Sequence, residues 1–436
     1  MVERKMDSSR FEAAVGMSRK WDAREAGREV TRSAIEKLNR PPSFFLLFST
    51  IHYEKHGGFQ EFLNGVWDVL PEGTPLIGGT VVGFMNDYGC YTRGCTAIAV
   101  SYPNMDVAVG VGYNTKKNPE KAAGKCAEGI LMGFKNSKYK ESFIFQLVSG
   151  ATMPHFPGIG GSFVLKGKIK SSLAAKLIET STRKLQKGIG REEEVLEKMS
   201  KKLEKSFIIS GSSSDDMKLA KDYQFISKGV STNSIVAIGF KIDKKIDIRY
   251  NHGFHKLFNE KLKITDSSFD NRIIKKINNK DAVSEFTRAA NWSESAFEES
   301  ISRKTSFYNL PTVYFPLGFE YPDKTLAAAA VGAILGKGIS FNYRIDSDDL
   351  FVLTASGKNI VDAIDESIDK NSDFIFGVSC CGNLVTLGDD MCFVQKKIRK
   401  NIKNFLVVFT LGEGVYNPLD GKSKFFNEAN IILSIK

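Results

Sequence analysis

Glu413 stands between Gly412 and Gly414 directly after the apolar run FLVVFT, a poor place for an ordinary surface acid. An acid there can accept a ligand's ammonium group or hydrogen-bond the main chain of a neighbouring turn. Cys380 and Cys381 close another apolar run, FIFGVSCC, and Asn383 follows two residues later. A strand end facing a helix start can lower a cysteine's pKa, so Cys380 is a candidate reactive thiol as well as a candidate small core residue. Two further glycine-bearing segments follow apolar runs: Gly78 and Gly79 in PLIGGTVVG, and Gly211 with Ser212 in SFIISGSSSDD. Glycine where a buried strand ends permits positive φ and close approach, which either offers main-chain amides to a ligand or makes a tight turn.

Those residues need elements to carry them, and the pattern repeats. Leu76–Ile77, Ser206–Ile209 and Phe405–Phe409 each read as a strand, each leads into a glycine turn, and each has an apolar return strand: Ala97 to Val100, Ser234 to Phe240 and Glu428 to Ile435. Helices alternate with these strands. Ala26, Val30, Ala34 and Leu38 fall four apart within Trp21 to Leu38; Phe59, Phe62, Leu63, Val66 and Trp67 trace one helical face; Asn118 and a proline open Pro119 to Phe134. Phe44 to Phe48 is a continuous apolar run, short enough for a strand buried on both faces. Glu192 to Lys205 reads as a helix with acids in its first turn and lysines in its last, which complements its dipole. Leu173 to Lys187, Leu326 to Leu335, Ile360 to Ile368 and Met391 to Lys403 read as further helices, and SGATMPHFPGIGGS as a loop. The fold class expected is α/β, with mixed sheets built from repeated αβ units and two domains sharing a cleft: residues 1–255, a connecting segment 256–285, and 286–436.

Composition narrows the function. The chain has 436 residues, 42% hydrophobic and 25% charged, an ordinary globular balance. Its six cysteines lack the paired spacing of a zinc site, and the net charge of +11 is spread among acids without a nucleic-acid motif. The N-terminus has no leader pattern and no run is long and apolar enough to span a membrane, so a cytoplasmic location is expected, with no specific nucleic acid and no membrane among the partners. His52, His56, His155, His252 and His255 are the imidazoles that a haem would have to use.

In the order and spacing of its motifs the chain resembles the FIST family, named for F-box and intracellular signal transduction proteins. For the N-terminal FIST domain the resemblance rests on Asp22, Ala26 and Ala34, on FFLLFST, LIGGTVVG and IISGSSSDD, and on Asn251-His252-Gly253-Phe254. For the C-terminal domain it rests on Phe315-Pro316-Leu317-Gly318, IFGVSCCGN, LGEGVYN and FFNEANIIL. Three positions depart from the family pattern: Asn383 stands where an arginine is expected, Asn427-Glu428-Ala429 replaces Asn-x-Thr, and Phe254 replaces a tryptophan. Asparagine cannot supply a charged bidentate fork for an anionic group.

The resemblance implies an intracellular sensory domain that recognises a small molecule such as an amino acid, with haem implied for one branch. The chain shows no kinase, cyclase, chemoreceptor or F-box module, so a separate signalling partner protein is expected to read its state. The expected ligand-binding residues are Gly78, Gly79, Gly211, Ser212, Cys380, Asn383, Gly412 and Glu413, with no metal. The alternatives are an enzyme using Cys380 or Glu413, and a haem-based gas sensor.

Overall fold

The computed structural model describes residues 10–153, 164–165, 171–302 and 311–436. Most of the chain is three copies of one unit: outer strand, helix, strand, helix, strand, hairpin, return strand. In the first copy these are Glu12–Ser18, Ala23–Ile35, Phe44–Ser49, Gly58–Trp67, Leu76–Thr80, the hairpin Gly83–Asn86 with Gly89–Tyr91, and Cys95–Ser101. In the second they are Met105–Tyr113, Pro119–Gly133, Glu141–Ser149, Glu192–Lys202, Phe207–Ser213, the hairpin Gln224–Ile226 with Gly229–Ser231, and Ser234–Ile242. In the third they are Ile246–Asn251, Gly357–Glu366, Phe374–Cys380, Met391–Asn401, Phe405–Thr410, the hairpin Glu413–Asn417 with Lys422–Phe426, and Asn430–Ile435.

Each unit holds one parallel pair, joined through a helix because parallel strands need a crossover. Leu46 lies beside Ile77, Ile144 beside Ile208, and Phe376 beside Leu406. The return strand pairs antiparallel with the first member of each pair, and the outer strand flanks the return strand. The three expected echoes are therefore real, and an outer strand completes each of them. Local signals set the helices. Asp22 caps the first by accepting the Glu25 amide at 2.9 Å, Asn118 accepts the Lys121 amide at 3.1 Å ahead of Pro119, and Ser356 with Asn359 forms a capping box.

The hairpins do not stay in their own sheets. The first unit's hairpin pairs with Phe405–Thr410 of the third, the third unit's with Phe207–Ser213 of the second, and the second unit's with Leu76–Thr80 of the first. Three sheets of six strands are thus closed into a ring by cyclic exchange. At the crossovers the Val82 amide donates to the Phe409 carbonyl at 3.0 Å, the Ser212 amide to the Gly412 carbonyl at 2.9 Å and the Thr80 amide to the Tyr223 carbonyl at 2.8 Å.

An insertion between the third unit's outer strand and its first helix forms a fourth sheet. It includes Leu262–Ser268, Ile273–Ile277, Leu317–Glu320, Leu326–Ala329, Val331–Leu335, Gly338–Phe341 and Asp349–Thr354, with Val164–Leu165 alongside in parallel. Here the alanine-rich helix expected over Leu326 to Leu335 is replaced by two strands. Alanine's helix propensity loses to tertiary pairing: Ala327, Ala328 and Ala329 are fully buried in a ladder with Leu317–Glu320, and the Ala328 carbonyl accepts the Tyr343 hydroxyl and the Asn427 amide. The loop SGATMPHFPGIGGS lies outside the described residues from 154 onward.

Helix Glu192–Lys202 locks the fourth sheet to the ring. Arg272, fully buried, pairs with Glu193 and with Glu194 at 2.6 Å; Arg191 also holds Glu194 at 2.6 Å, and Arg344 reaches Glu197. The glutamates read from sequence as dipole complements are thus also halves of an ionic network. Removing one partner of such a pair strands the other charge away from water. Arg272→Ala is expected to lower unfolding free energy by about 3–5 kcal/mol in a denaturant titration. The exposed Lys125→Ala, which breaks only the surface pair with Glu128, should cost less than about 1 kcal/mol.

Candidate functional site

All eight expected site residues are buried, and they fall into two groups. Gly78 and Gly79 lie within the strand Leu76–Thr80, opposite Phe225 and Gln224, not in the turn expected of them. A β-carbon at Gly78 would overlap the Leu47 carbonyl oxygen, so this glycine serves strand packing; the chain crosses to the third sheet at Val81–Val82 and turns at Asp87–Tyr88. Gly211 is likewise inside its strand. Cavities of note elsewhere in the molecule, at Thr152–Gly188–Asn342, Trp292–Phe315 and Gly112–Lys121, are lined by none of the eight.

The other six meet where the second and third sheets join. Gly211 pairs across to Glu413, and Ser212 brackets the crossover, its carbonyl accepting the Leu411 amide at 3.3 Å. Thr410 Oγ1 donates to Glu413 Oε1 at 2.7 Å, while Glu413 Oε2 has no hydrogen-bond partner. Asn383 donates through Nδ2 to Ser379 Oγ at 3.2 Å and Asn430 Oδ1 at 3.3 Å, leaving its own Oδ1 unpaired. Ser212 Oγ makes no close hydrogen bond and lies on the side of Glu192. The Gly382 amide donates to Cys380 Sγ at 3.4 Å.

A ninth residue belongs here. Glu428 is 1% exposed, its backbone is left-handed at φ +59°, and Oε2 has no partner. Its carboxyl occupies the space over Gly382, where any β-carbon would overlap it. A glutamate in that backbone region is a strained choice of the kind concentrated at binding sites. The sequence held a signal in FFNEANIIL, an acid set between two apolar runs.

Burial sets the protonation states. It pushes Glu428 up to about 8 and raises Glu413 well above the ordinary carboxyl range, with Cys381 and Glu428 adding repulsion while the Thr410 hydroxyl and Ala429 amide oppose the rise. Burial also raises the Cys380 thiol well above its usual value, overriding the lowering expected at a strand end; Cys380 is a core thiol. His252 has both ring nitrogens engaged by the main chain, Nε2 with the Leu326 carbonyl at 2.8 Å and Nδ1 with the Phe254 amide at 2.9 Å, and burial lowers its pKa.

A second polar centre, missed in the sequence, lies on the other side of the same strand. Lys116, fully buried, reaches Ser149 Oγ at 3.2 Å, Asn233 Oδ1 at 3.4 Å and Thr152 Oγ1 at 3.5 Å. Asp222 accepts from Ser149 at 3.1 Å, from Ser213 at 2.9 Å and from Gln224 at 2.5 Å. Burial lowers the Lys116 pKa, with Asp222 and Glu192 opposing; burial, then the neighbouring Glu193, pushes Glu192 up to about 8. Both centres sit at the carboxyl ends of a parallel pair, where α/β sheets commonly bind ligands.

Residues 43–280, more than half of the chain, match the family model of the FIST N domain. The chain belongs to the FIST family. That span covers the parallel pairs of the first two units and the Lys116 centre; the third unit, apart from its outer strand, lies beyond it, with the same topology. A search of curated proteins returns no match. Among solved structures the chain has a likeness to one described as PurLQS from Thermotoga maritima, at 8% identity over 98% of this chain and 72% of that one, with a TM-score of 0.19, too low to speak to fold. No helix of this FIST protein is long and apolar enough to cross a membrane among the described residues, and no cluster of His, Cys, Asp or Glu there could hold a metal ion.

The raised acids make stability fall with pH. Between the ordinary carboxyl pKa and about 8, the unfolded chain has lost the Glu428 proton while the folded chain keeps it. Each pH unit in that window therefore costs about 1.4 kcal/mol per such group. The melting temperature should decline from about pH 5 to about pH 8, and Glu428→Gln should flatten the decline. Identical slopes in the two proteins would remove Glu428 as a source.

Proposed function

We propose that this FIST protein is an intracellular sensory protein that binds a small polar metabolite carrying an amino group, such as an amino acid, where the second and third sheets join. The observation that carries the reading is a pair of neighbouring buried carboxyls at that junction, Glu413 and Glu428, each with an unpaired Oε2. An unmade buried hydrogen bond costs about 1–3 kcal/mol, and a carboxyl oxygen is suited to an ammonium donor. Two neighbouring carboxyls in a dry site stay protonated until a cation arrives; binding then ionises one or both and supplies the missing partner. Asn383, in place of the arginine of the family pattern, fits a cation better than an anion.

Ligand entry requires the junction to loosen, and the crossing hairpin Glu413–Phe426 is the element that spans it. A ligand favouring the closed junction would shift the population of hairpin positions, which a separate partner protein could read.

In thermal-shift measurements across the common L-amino acids and simple diamines, at least one compound should raise the wild-type melting temperature. Glu413→Gln, which keeps the shape and removes the charge, should abolish that rise while leaving the apo protein folded. A panel without any stabilising amine, or an equal rise in Glu413→Gln, contradicts the reading.

A further inference from the structure

The second sheet ends on the strand Met105–Tyr113, which pairs along one edge with Ser234–Ile242 and, among the described residues, along the other with nothing. An open edge of nine residues is a template for another chain. Its two faces differ. Ala108, Gly110 and Gly112 pack against the helix Pro119–Gly133, near Gly133, Cys126 and Ala122, whereas Val107, Val109 and Val111 on the opposite face are half-buried.

These contacts run the helix antiparallel to the strand and in step with it. Four residues of helix rise about 6 Å and two residues of strand about 6.6 Å, so side chains four apart on the helix keep pace with alternate residues on an added strand. Lys121 and Lys125 are four apart on that helix, and Lys117 precedes its start by the same interval. The three lysines, with the main chain of Gly112 and the exposed ring of Tyr113, line a groove of about 600 Å³ beside the edge. Lys117 and Lys121 form no ion pair among the described residues, and Lys125 pairs with Glu128 at 2.8 Å.

We propose that this edge docks an extended acidic segment of the partner protein, which adds a strand to Met105–Tyr113. Its acidic side chains lie over the lysine row, and its alternate apolar side chains cover Val107, Val109 and Val111. The main-chain ladder supplies affinity and the lysine spacing selects alternating acids. This rests on the sensory reading above only in naming that partner's chemistry.

The test uses the full chain without any small ligand and a short fluorescein-labelled peptide of alternating glutamate and valine, followed by anisotropy. Saturable binding is expected. The double variant Lys121→Glu, Lys125→Glu should weaken it at least about tenfold. A peptide of the same charge with proline at its centre should not bind, because proline cannot donate to the ladder. Equal binding of the proline peptide, or displacement by ATP as readily as by unlabelled peptide, overturns strand addition. No binding overturns the docking site and leaves the lysines as guards of a bare edge. Because no amine is present, either failure leaves the junction of the second and third sheets to be judged on its own thermal-shift result.

Discussion

Every parallel strand pair in the ring is completed by a hairpin borrowed from another unit, and those three borrowed ladders hold the rest of the structure in place. The Val82–Phe409, Gly412–Ser212 and Tyr223–Thr80 contacts are main-chain hydrogen bonds between segments far apart in sequence. No unit can complete its sheet alone, and each inner edge is covered, which removes a route to aggregation. Closing so many long loops costs entropy early in folding, so the ring belongs with the slower, non-local topologies. The same exchange forces the polar junction to exist: it carries Glu413 across from the third unit onto the strand of the second, where Ser212 waits and Glu428 returns.

The junction is costly as a piece of core. Apolar replacements of similar volume would avoid the desolvation of two acids and an asparagine left with unpaired atoms. Glu428 adds a left-handed backbone to that cost. By contrast, the buried Arg272 network, with three glutamates of one helix engaged by arginines, has its charges matched and fastens the inserted sheet. The acids of that network face cations, whereas Glu413 and Glu428 form no ion pair among the described residues.

Much of the ring was legible in the sequence. The apolar runs at Phe44, Phe143, Phe374 and Phe405 became strands, the return strands fell where expected, and the capped helices began within a few residues of their signals. What failed has physical causes. Ala327 to Ala329 are held extended by Leu317–Glu320, Tyr343 and Asn427, residues that only the fold brings near, so local propensity misleads there. Gly78 and Gly211 read as turn residues because glycine marks both turns and close strand approaches, and sequence alone does not separate them. Glu413 was readable from its glycine neighbours. Lys116 and Asp222 were not: each sits in a polar stretch that looks like solvated loop until Ser149 and Ser213 are brought alongside.

The central claim is that the junction holding Glu413 and Glu428 is a binding site for a small amine. Native mass spectrometry of the freshly purified full chain, compared with its denatured mass, tests this most directly. The account predicts a retained extra mass that corresponds to an amino-bearing metabolite and that is absent from Glu413→Gln. A bound species with no amino group, or the same added mass in wild type and Glu413→Gln, would contradict it.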